Sequence, residues 1–252
     1  MGLPMIMVAP NGARRGRADH PALPVTTGQI ADTAVACAAA GADALHLHVR
    51  DAEGGHSLDA GRYREALAEL ASRVPGLRVQ ITTEAAGIFD VATQLRCLRE
   101  VQPRWASISV REVARDPDLA PQVYASCAAQ GTEVQHILYD AGDIAQLKDW
   151  QARGIVRPEQ EAVLFVLGRY APGQVSFPGN LAPFRERLPG VRNWMVCAFG
   201  PQEHACLLEA ARQGGALRVG FENSLSDHCN RPHPDNAASV RALRTLLESH
   251  SA

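Results

Sequence analysis

The stretch Ala42-Asp43-Ala44-Leu45-His46-Leu47-His48-Val49-Arg50-Asp51 organises the rest of the sequence. Apolar and polar residues alternate along it, and this period of two predicts a β-strand over residues 43–49. Alternate side chains of a strand lie on the same face, so the pattern places His46, His48 and Arg50 on one side.

Two histidines at positions i and i+2 of a strand are a candidate metal site. They lie about 6.6 Å apart along the strand (two rises of ~3.3 Å), so both imidazoles can reach one ion. A single interior histidine is more simply explained as a packed, hydrogen-bonded side chain, but three polar groups on one interior face need partners. Catalytic zinc usually has three protein ligands and an open position. We therefore interpret His46 and His48 as metal ligands and expect a third ligand from another strand.

The length and composition fit an α/β protein. The chain has 252 residues, of which 46% are hydrophobic and only 5% aromatic. This length suits one (β/α)₈ barrel or two small domains. The formal net charge is −2, from 25 basic and 27 acidic residues, so no nucleic-acid partner is expected.

The cysteines and the N-terminal residues predict a cytoplasmic protein. Six scattered cysteines without a Cys-x-x-Cys pair indicate reduced thiols. The first ten residues lack the basic region of a signal peptide. No apolar run approaches the ~18 residues of a membrane span, so no membrane association is expected.

Strand-like and helix-like segments alternate through the sequence at a period of about 30 residues. Eight such units favour a parallel sheet closed into a (β/α)₈ barrel, with residues 1–252 forming a single domain. The rival fold is an open doubly wound sheet, but its Gly-x-Gly-x-x-Gly sequence after the first strand is absent. The predicted strands cover residues 5–9, 43–49, 77–81, 105–110, 133–139, 162–167, 193–198 and 216–220.

The eighth predicted strand offers a third metal ligand. In such barrels the working residues lie at the C-terminal ends of the strands. Arg218 and Glu222 share strand parity, and strands 8 and 2 are separated only by strand 1 in a closed barrel. Alone, Glu222 would be interpreted as a surface or capping carboxylate. With His46 and His48 it can complete a His₂Glu site that leaves room for substrate.

These residues also indicate a resemblance to a known family. The sequence resembles the β-keto acid cleavage enzymes, whose best-known member is the 3-keto-5-aminohexanoate cleavage enzyme. The pair formed by the His-x-His-x-Arg strand and the Arg-x-Gly-x-Glu strand is specific, and the resemblance runs the length of the chain. The matching segments are residues 10–13, 17–21, 40–42, 45–51, 80–83, 165–168 and 218–223.

The resemblance implies a Zn²⁺-dependent barrel, usually a homotetramer, that condenses a β-keto acid with acetyl-CoA. Such enzymes release acetoacetate and the CoA ester of the remaining acyl part. His46, His48 and Glu222 match the zinc ligands, and Arg218 matches a catalytic arginine. Zinc can chelate the keto and carboxylate oxygens and stabilise developing oxyanions, while Arg218 supplies a fixed cation nearby.

The resemblance also implies contacts with the substrate. Thr82 stands where the family has a serine or threonine beside the substrate. Ser107 stands where a threonine or serine contacts the substrate's carboxylate end. Asn11 lies in a matching segment and is assigned to substrate binding.

Two positions depart from the family pattern near the reacting centre. The best-known member has an aspartate after its zinc-binding glutamate, but this chain has Asn223, which cannot accept a proton at neutral pH. The glycine-rich turn after the third strand is replaced by residues that begin with Glu84. Either Glu84 or a zinc-bound water performs the proton transfer, or the usual activity is weak or altered.

Arg14 bears on the choice of substrate. The aminohexanoate enzyme has a glutamate at the matching position, where it pairs with the substrate's ammonium group. An arginine would repel an amine and would attract a carboxylate or leave room for a polar chain, so we expect an anionic β-keto acid, such as a β-ketodicarboxylate, or one with a polar side chain, over a cationic one. Alternatively, Arg14 faces solvent within a loop that also contains Arg15 and Arg17.

Two other functional interpretations stay open at the level of sequence. The first is another metal-dependent barrel lyase or hydrolase that works without CoA. The second is a non-catalytic relative that keeps the barrel and the metal, which Asn223 favours.

Overall fold

Strands and helices alternate along the computed structural model, which describes residues 3–169 and 175–251. The strands of this part of the chain are β1 (Ile6–Val8), β2 (Ala44–Leu47), β3 (Val49–Arg50), β4 (His56–Ser57), β5 (Arg78–Thr82), β6 (Trp105–Ser109), β7 (Glu133–Leu138), β8 (Ala162–Leu167), β9 (Trp194–Ala198) and β10 (Ala216–Val219). Its α-helices are α1 (Thr27–Ala39), α2 (Ala60–Arg73), α3 (Val91–Val101), α4 (Val110–Val113), α5 (Ala120–Gln130), α6 (Ala141–Ala152), α7 (Ala182–Arg187), α8 (Glu203–Arg212) and α9 (Asn236–Ser251). Residues 170–174, which follow the predicted strand over residues 162–167, lie outside the described residues.

Eight parallel strands close into a barrel in the order β1-β10-β9-β8-β7-β6-β5-β2. The predicted (β/α)₈ fold class is therefore confirmed. Closure places β1 between β10 and β2, and its residues pair with both neighbours. The strand that leads to Glu222 and the strand that carries His46 are thus one strand apart, as the sequence argument required.

Apolar side chains fill both the inside of the barrel and the space between strands and helices. Strand β8 is buried at every position and covers the range predicted from its apolar run, because both of its faces are covered. The cluster inside the barrel consists of Met7, Ala44, Trp105, Ile137, Leu164, Val166, Met195, Cys197 and Phe199. This packed interior supports the mouth of the barrel from below.

Side-chain caps fix where several helices begin. Thr26 accepts a hydrogen bond from the backbone N–H of Gln29 before α1, and Asp59, Asp90 and Asp140 cap α2, α3 and α6 in the same way. Each cap satisfies an N–H group that lacks a partner within the helix. Among residues 3–169 and 175–251, no helix is long and apolar enough to cross a membrane.

The predicted strand over residues 43–49 is not continuous, so that prediction is wrong at His48. Strand β2 ends at Leu47, and β3 pairs in antiparallel fashion with β4 in a separate hairpin. The reason lies in Arg50, whose guanidinium donates to the carbonyls of Gly12, Arg15 and Gly54. Arg50 therefore holds the loop after β1 instead of sharing the interior face with the histidines.

Strand β6, which corresponds to the predicted strand over residues 105–110, also ends one residue earlier than predicted, because α4 begins at Val110. This short helix carries Glu112 toward the loop after β5. One oxygen of Glu112 accepts hydrogen bonds from the N–H of Ala85 and from Nε2 of Gln94, both at 2.9 Å. Burial raises the pKa of Glu112 to about 7, and the N–H of Ala85 opposes that rise while the charge of Glu84 adds to it.

We predict that Glu112→Gln flattens the dependence of stability on pH. A carboxyl whose pKa is raised in the folded state binds its proton more tightly there, so its contribution to stability falls as the pH rises from about 4.5 to about 7. The glutamine oxygen can keep both hydrogen bonds without the charge. The free energy of unfolding, measured by urea titration at pH 5 and pH 8, should fall less in the variant, by on the order of 1–2 kcal/mol after allowing for solvent screening. Glu100→Gln, at an exposed position of α3, should show the same pH dependence of the free energy of unfolding as the wild type. Equal pH slopes for Glu112→Gln and wild type would contradict the account.

Candidate active site

Two histidines and one glutamate converge at the mouth of the barrel. The Nε2 atoms of His46 and His48 are 3.1 Å apart. Oε2 of Glu222 lies 3.7 Å from Nε2 of His46, and Oε1 lies 3.6 Å from Nε2 of His48. The three residues are at most 4% exposed. Their candidate ligand atoms all lie within 4.8 Å of one another, so the ends of β2 and β10 direct three donors at one point.

This donor set fits a divalent cation such as zinc. Two nitrogens bound to one tetrahedral zinc at 2.0–2.1 Å are separated by about 3.3 Å, close to the 3.1 Å between the two imidazoles. Burial and the nearby Arg218 guanidinium hold the pKa of His46 well below its usual range, so its ring is neutral and can act as a ligand. Burial alone would raise the pKa of Glu222, but Arg218, His46 and His48 hold it well below its usual range. The site therefore offers the neutral imidazole of His46 and the carboxylate of Glu222, with the imidazole of His48 directed at the same point.

The turn that carries Glu222 is held by side chains from outside the strand. Gly220 has a φ of +136°, and a Cβ at this position would lie 2.6 Å from the carbonyl oxygen of Ala9. The N–H of Gly220 donates to buried Glu203, and the N–H of Phe221 donates to Asn236. The close approach to Ala9 explains why a glycine stands two residues before the candidate ligand Glu222: only glycine lets the chain pass so close to β1.

Asn11 is part of the scaffold under His48. It is fully buried, and its Nδ2 donates to the carbonyls of Pro24 and His48 at 3.1 and 3.3 Å. Among the described residues it does not line the cavity beside the histidines. Its side chain thus joins the loop after β1 to the residue that follows β2.

A cavity of about 340 Å³ lies beside the candidate ligands. Six of the ten residues that the sequence assigned to the site line it: Arg14, His46, Thr82, Glu84, Arg218 and Glu222. These six residues come from the loop after β1 and from the ends of β2, β5 and β10. His48 meets the other two ligands from below this surface.

Glu84 is the carboxylate nearest to the candidate metal position apart from Glu222. Its Oε2 lies 3.9 Å from Nε2 of His48, and its Oε1 lies 3.9 Å from Nη2 of Arg14. Its backbone N–H donates to the hydroxyl of Thr82. Burial raises the pKa of Glu84, and His48 opposes that rise.

Ser107 and Asn223 are buried deeper than the cavity wall. Among the described residues, the hydroxyl of Ser107 and both amide atoms of Asn223 have no hydrogen-bond partner. Ser109, two residues further along the same face of β6, reaches the cavity lining. A buried amide without a partner requires an explanation, and contact with a bound reactant is one that suits its position next to Glu222.

Sequence reasoning missed the residues on the opposite wall of the cavity. Tyr139 follows β7 and packs under the guanidinium of Arg111, which lies 4.5 Å from the ring centre. Arg111 also pairs with Asp140 and Asp143 at 2.6 and 2.8 Å, and Arg169 pairs with Asp140 at 3.1 Å. Only the rule that strand ends meet at the barrel mouth could have indicated this wall. The guanidinium groups of Arg111 and Arg169 on this wall are thus paired with the carboxylates of Asp140 and Asp143.

The arrangement can stabilise negative charge that develops on a bound carbonyl compound. Nη2 of Arg218 lies 3.5 Å from Oε1 of Glu222 and donates to the sulfur of Cys197 at 3.4 Å. A guanidinium held in a buried site acts on nearby charge more strongly than it would in water. A cation at the three ligands would add a Lewis acid to the same point.

Named proteins match the chain over most of its length. The 3,5-dioxohexanoate:acetyl-CoA acetone transferase of Paraburkholderia graminis is 27% identical over 285 residues, covering 98% of this chain and 90% of that protein. The 3-oxoadipate:acetyl-CoA acetyltransferase of Cupriavidus necator is 24% identical over 255 residues, covering 98% of this chain and 89% of that protein.

A solved structure agrees on the fold, and a family model agrees on the sequence. Apo ObcA superposes with a TM-score of 0.73 at 18% identity, over 92% of this chain, which spans only 63% of the ObcA chain. At that identity the likeness concerns the fold alone. The model for the β-keto acid cleavage enzymes matches residues 4–252. With nearly every residue covered, the chain belongs to the β-keto acid cleavage enzyme family.

Proposed function

We propose that the protein is a Zn²⁺-dependent β-keto acid cleavage enzyme that uses acetyl-CoA. In the net reaction, R–CO–CH₂–COO⁻ and CH₃–CO–SCoA give R–CO–SCoA and CH₃–CO–CH₂–COO⁻. The observation that carries the proposal is the convergence of His46, His48 and Glu222 beside a cavity lined by Arg218 and Glu84. The proposed cosubstrate agrees with the names of both relatives, which include acetyl-CoA.

The residues around the candidate metal position have separate roles. His46, His48 and Glu222 would hold the metal, which when bound supplies Lewis-acid stabilisation of a carbonyl oxygen. Arg218 keeps Glu222 ionised and presents a fixed positive charge to the reacting centre. Thr82 lines the cavity, and its hydroxyl is already fixed by the N–H of Glu84.

We assign proton transfer to Glu84. The carbon that acts as nucleophile must lose a proton, and Asn223 cannot take it. Glu84 lines the cavity, and its Oε2 lies 3.9 Å from Nε2 of His48. The amide of Asn223 can still hydrogen-bond a reactant, since neither of its polar atoms has a partner among the described residues.

Arg14 is proposed to select an anionic β-keto acid, such as a β-ketodicarboxylate. Its side chain is 51% exposed, lines the cavity and approaches Glu84 at 3.9 Å. A substrate carboxylate at the mouth would meet this cation, whereas an ammonium group would be repelled. Asn11 and Ser107 complete the proposed substrate set, Asn11 through the backbone it holds and Ser107 through a hydroxyl without a partner in the described part of the chain.

The remaining proposals concern the location, the oligomeric state and the partners of the enzyme. We propose a cytoplasmic homotetramer built from a single barrel domain of residues 1–252. Small molecules would be its partners: a β-keto acid and acetyl-CoA, with neither nucleic acid nor membrane involved.

The first test joins metal content to cosubstrate dependence. Protein purified without added metal should contain about one zinc per chain by mass spectrometry, because three buried donors favour zinc strongly. His46→Ala, His48→Ala and Glu222→Gln should lose that zinc and all measurable turnover. Acetoacetate should form only when acetyl-CoA is present.

His250→Ala is the control, because this histidine is exposed near the end of α9, where its Nδ1 contacts the carbonyl of Leu246. It should keep both the zinc and the turnover. Cleavage of a β-keto acid without acetyl-CoA would indicate a hydrolase and contradict the proposal. Full metal content without turnover on any β-keto acid would support the non-catalytic alternative.

The second test concerns the proton-transfer group. Glu84→Gln should lower kcat by about 10²- to 10⁴-fold while the protein keeps its zinc, because a positioned base contributes that much. The double variant Glu84→Gln/Asn223→Asp should recover part of the loss, since it returns a carboxylate beside Glu222. Glu53→Gln, in an exposed loop, serves as the control. A kcat for Glu84→Gln within threefold of the wild type would rule out this assignment.

The third test exchanges the charge at the mouth. Arg14→Glu should shift the ratio of kcat/KM for dicarboxylic over amine-bearing β-keto acids by about tenfold or more toward the amine, because a repulsive contact becomes attractive. Arg17→Glu makes the same charge change in the same loop but does not line the cavity, so it should leave the ratio unchanged. A wild-type enzyme that prefers the amine-bearing substrate would show that Arg14 does not select the substrate.

A further inference from the structure

Two buried glutamines lie beneath the candidate metal position, and neither has a role in the function proposed above. Gln80 on β5 is fully buried and stands opposite His46 in the register of β2 and β5. Gln135 on β7 is also buried. Apolar side chains would pack inside the barrel without the cost of burying two amides, so these residues need an explanation.

The two amides form a chain of hydrogen bonds that ends on His46. Oε1 of Gln80 lies 2.8 Å from Nδ1 of His46. Nε2 of Gln80 donates to Oε1 of Gln135 at 3.0 Å. Nε2 of Gln135 in turn lies 3.8 Å from the sulfur of Met195, a weak acceptor. Each amide has its nitrogen directed at an acceptor, and this fixes the oxygen of Gln80 toward the imidazole.

The direction of this chain determines the tautomer of His46. A neutral imidazole carries one N–H donor and one acceptor nitrogen. Because Gln80 offers His46 only an acceptor, the hydrogen must be on Nδ1. The lone pair is then on Nε2, the atom that lies 3.1 Å from Nε2 of His48 and 3.7 Å from Glu222.

His48 lacks such support. Its Nδ1 has no hydrogen-bond partner among the described residues, and Asn11 holds its backbone carbonyl. The two imidazoles therefore differ: Gln80 supplies an acceptor that fixes the tautomer and orientation of the His46 ring, whereas no described side chain does so at Nδ1 of His48.

We infer that Gln80 is a positioning residue for the metal site and that Gln135 acts through it. The pair sets the tautomer and orientation of His46 and so raises the affinity of the site for zinc. The inference rests on the metal binding contained in the proposed function but not on the reaction with acetyl-CoA. Partners of this kind typically change metal affinity by about 10- to 100-fold when removed.

The test measures zinc affinity directly, by competition with a chromogenic chelator on metal-free protein. Gln80→Met keeps the length of the side chain but removes the acceptor, and it should weaken zinc binding by about 10- to 100-fold. Gln80→Glu restores an acceptor for Nδ1–H and should bind zinc at least as tightly as the wild type. Gln135→Met should weaken binding by a smaller factor, because Gln80 keeps its oxygen and loses only its anchor.

Gln160→Met is the control for burying a thioether in place of an amide. Gln160 is buried outside the barrel, where it donates to the carbonyl of Tyr124. Thermal unfolding of each metal-free variant identifies any that fail to fold, and Gln80→Glu then decides the matter if Gln80→Met does not fold. Zinc affinity of Gln80→Met within twofold of the wild type, an equal loss in Gln160→Met, or a large loss in Gln80→Glu would overturn the inference. A wild type that binds no zinc would overturn it together with the metal part of the proposed function, whereas zinc binding without turnover would leave it standing.

Discussion

The burial of one carboxylate among two imidazoles and a guanidinium is the constraint on which the site depends. Glu222, His46, His48 and Arg218 are nearly inaccessible to water, and the carboxylate lies within 3.7 Å of each of the other three. Removing an ionised group from water is costly unless charge nearby compensates it. Arg218 supplies a compensating positive charge to Glu222. The proposed divalent cation would explain why two imidazoles direct their Nε2 atoms at the same carboxylate.

Closure of the barrel makes this convergence possible. Strand β1 is the only strand between β2 and β10, so the two ends that carry the ligands meet at the mouth. The approach is close enough that β10 must be followed by a glycine, Gly220, against Ala9. Glu203 and Asn236 then bind the backbone of the turn and deliver Glu222 to its position. The outer helices thereby contribute to the site without reaching the cavity.

The sequence predicted the parts of this structure that depend on local pattern. The apolar run of β8 and the alternation around His46 follow directly from which faces are covered. Arg218 and Glu222 meet as strand parity predicted, although β10 ends at Val219 and a turn carries Glu222. The pairing of β3 with β4 was missed because the bonds of Arg50 to the loop after β1 join residues more than 30 positions apart. The contact between His46 and Gln80 escaped for the same reason. A single sequence carries no sign of which polar groups meet across the barrel, so the support of the ligands could only be read from the structure.

X-ray diffraction from crystals of the purified protein, recorded on both sides of the zinc absorption edge, tests the central claim most directly. The account predicts one anomalous peak at the barrel mouth, about 2.0–2.2 Å from Nε2 of His46, Nε2 of His48 and one carboxylate oxygen of Glu222. A peak bound elsewhere, or crystals grown with zinc that show no peak at these three residues, would contradict it.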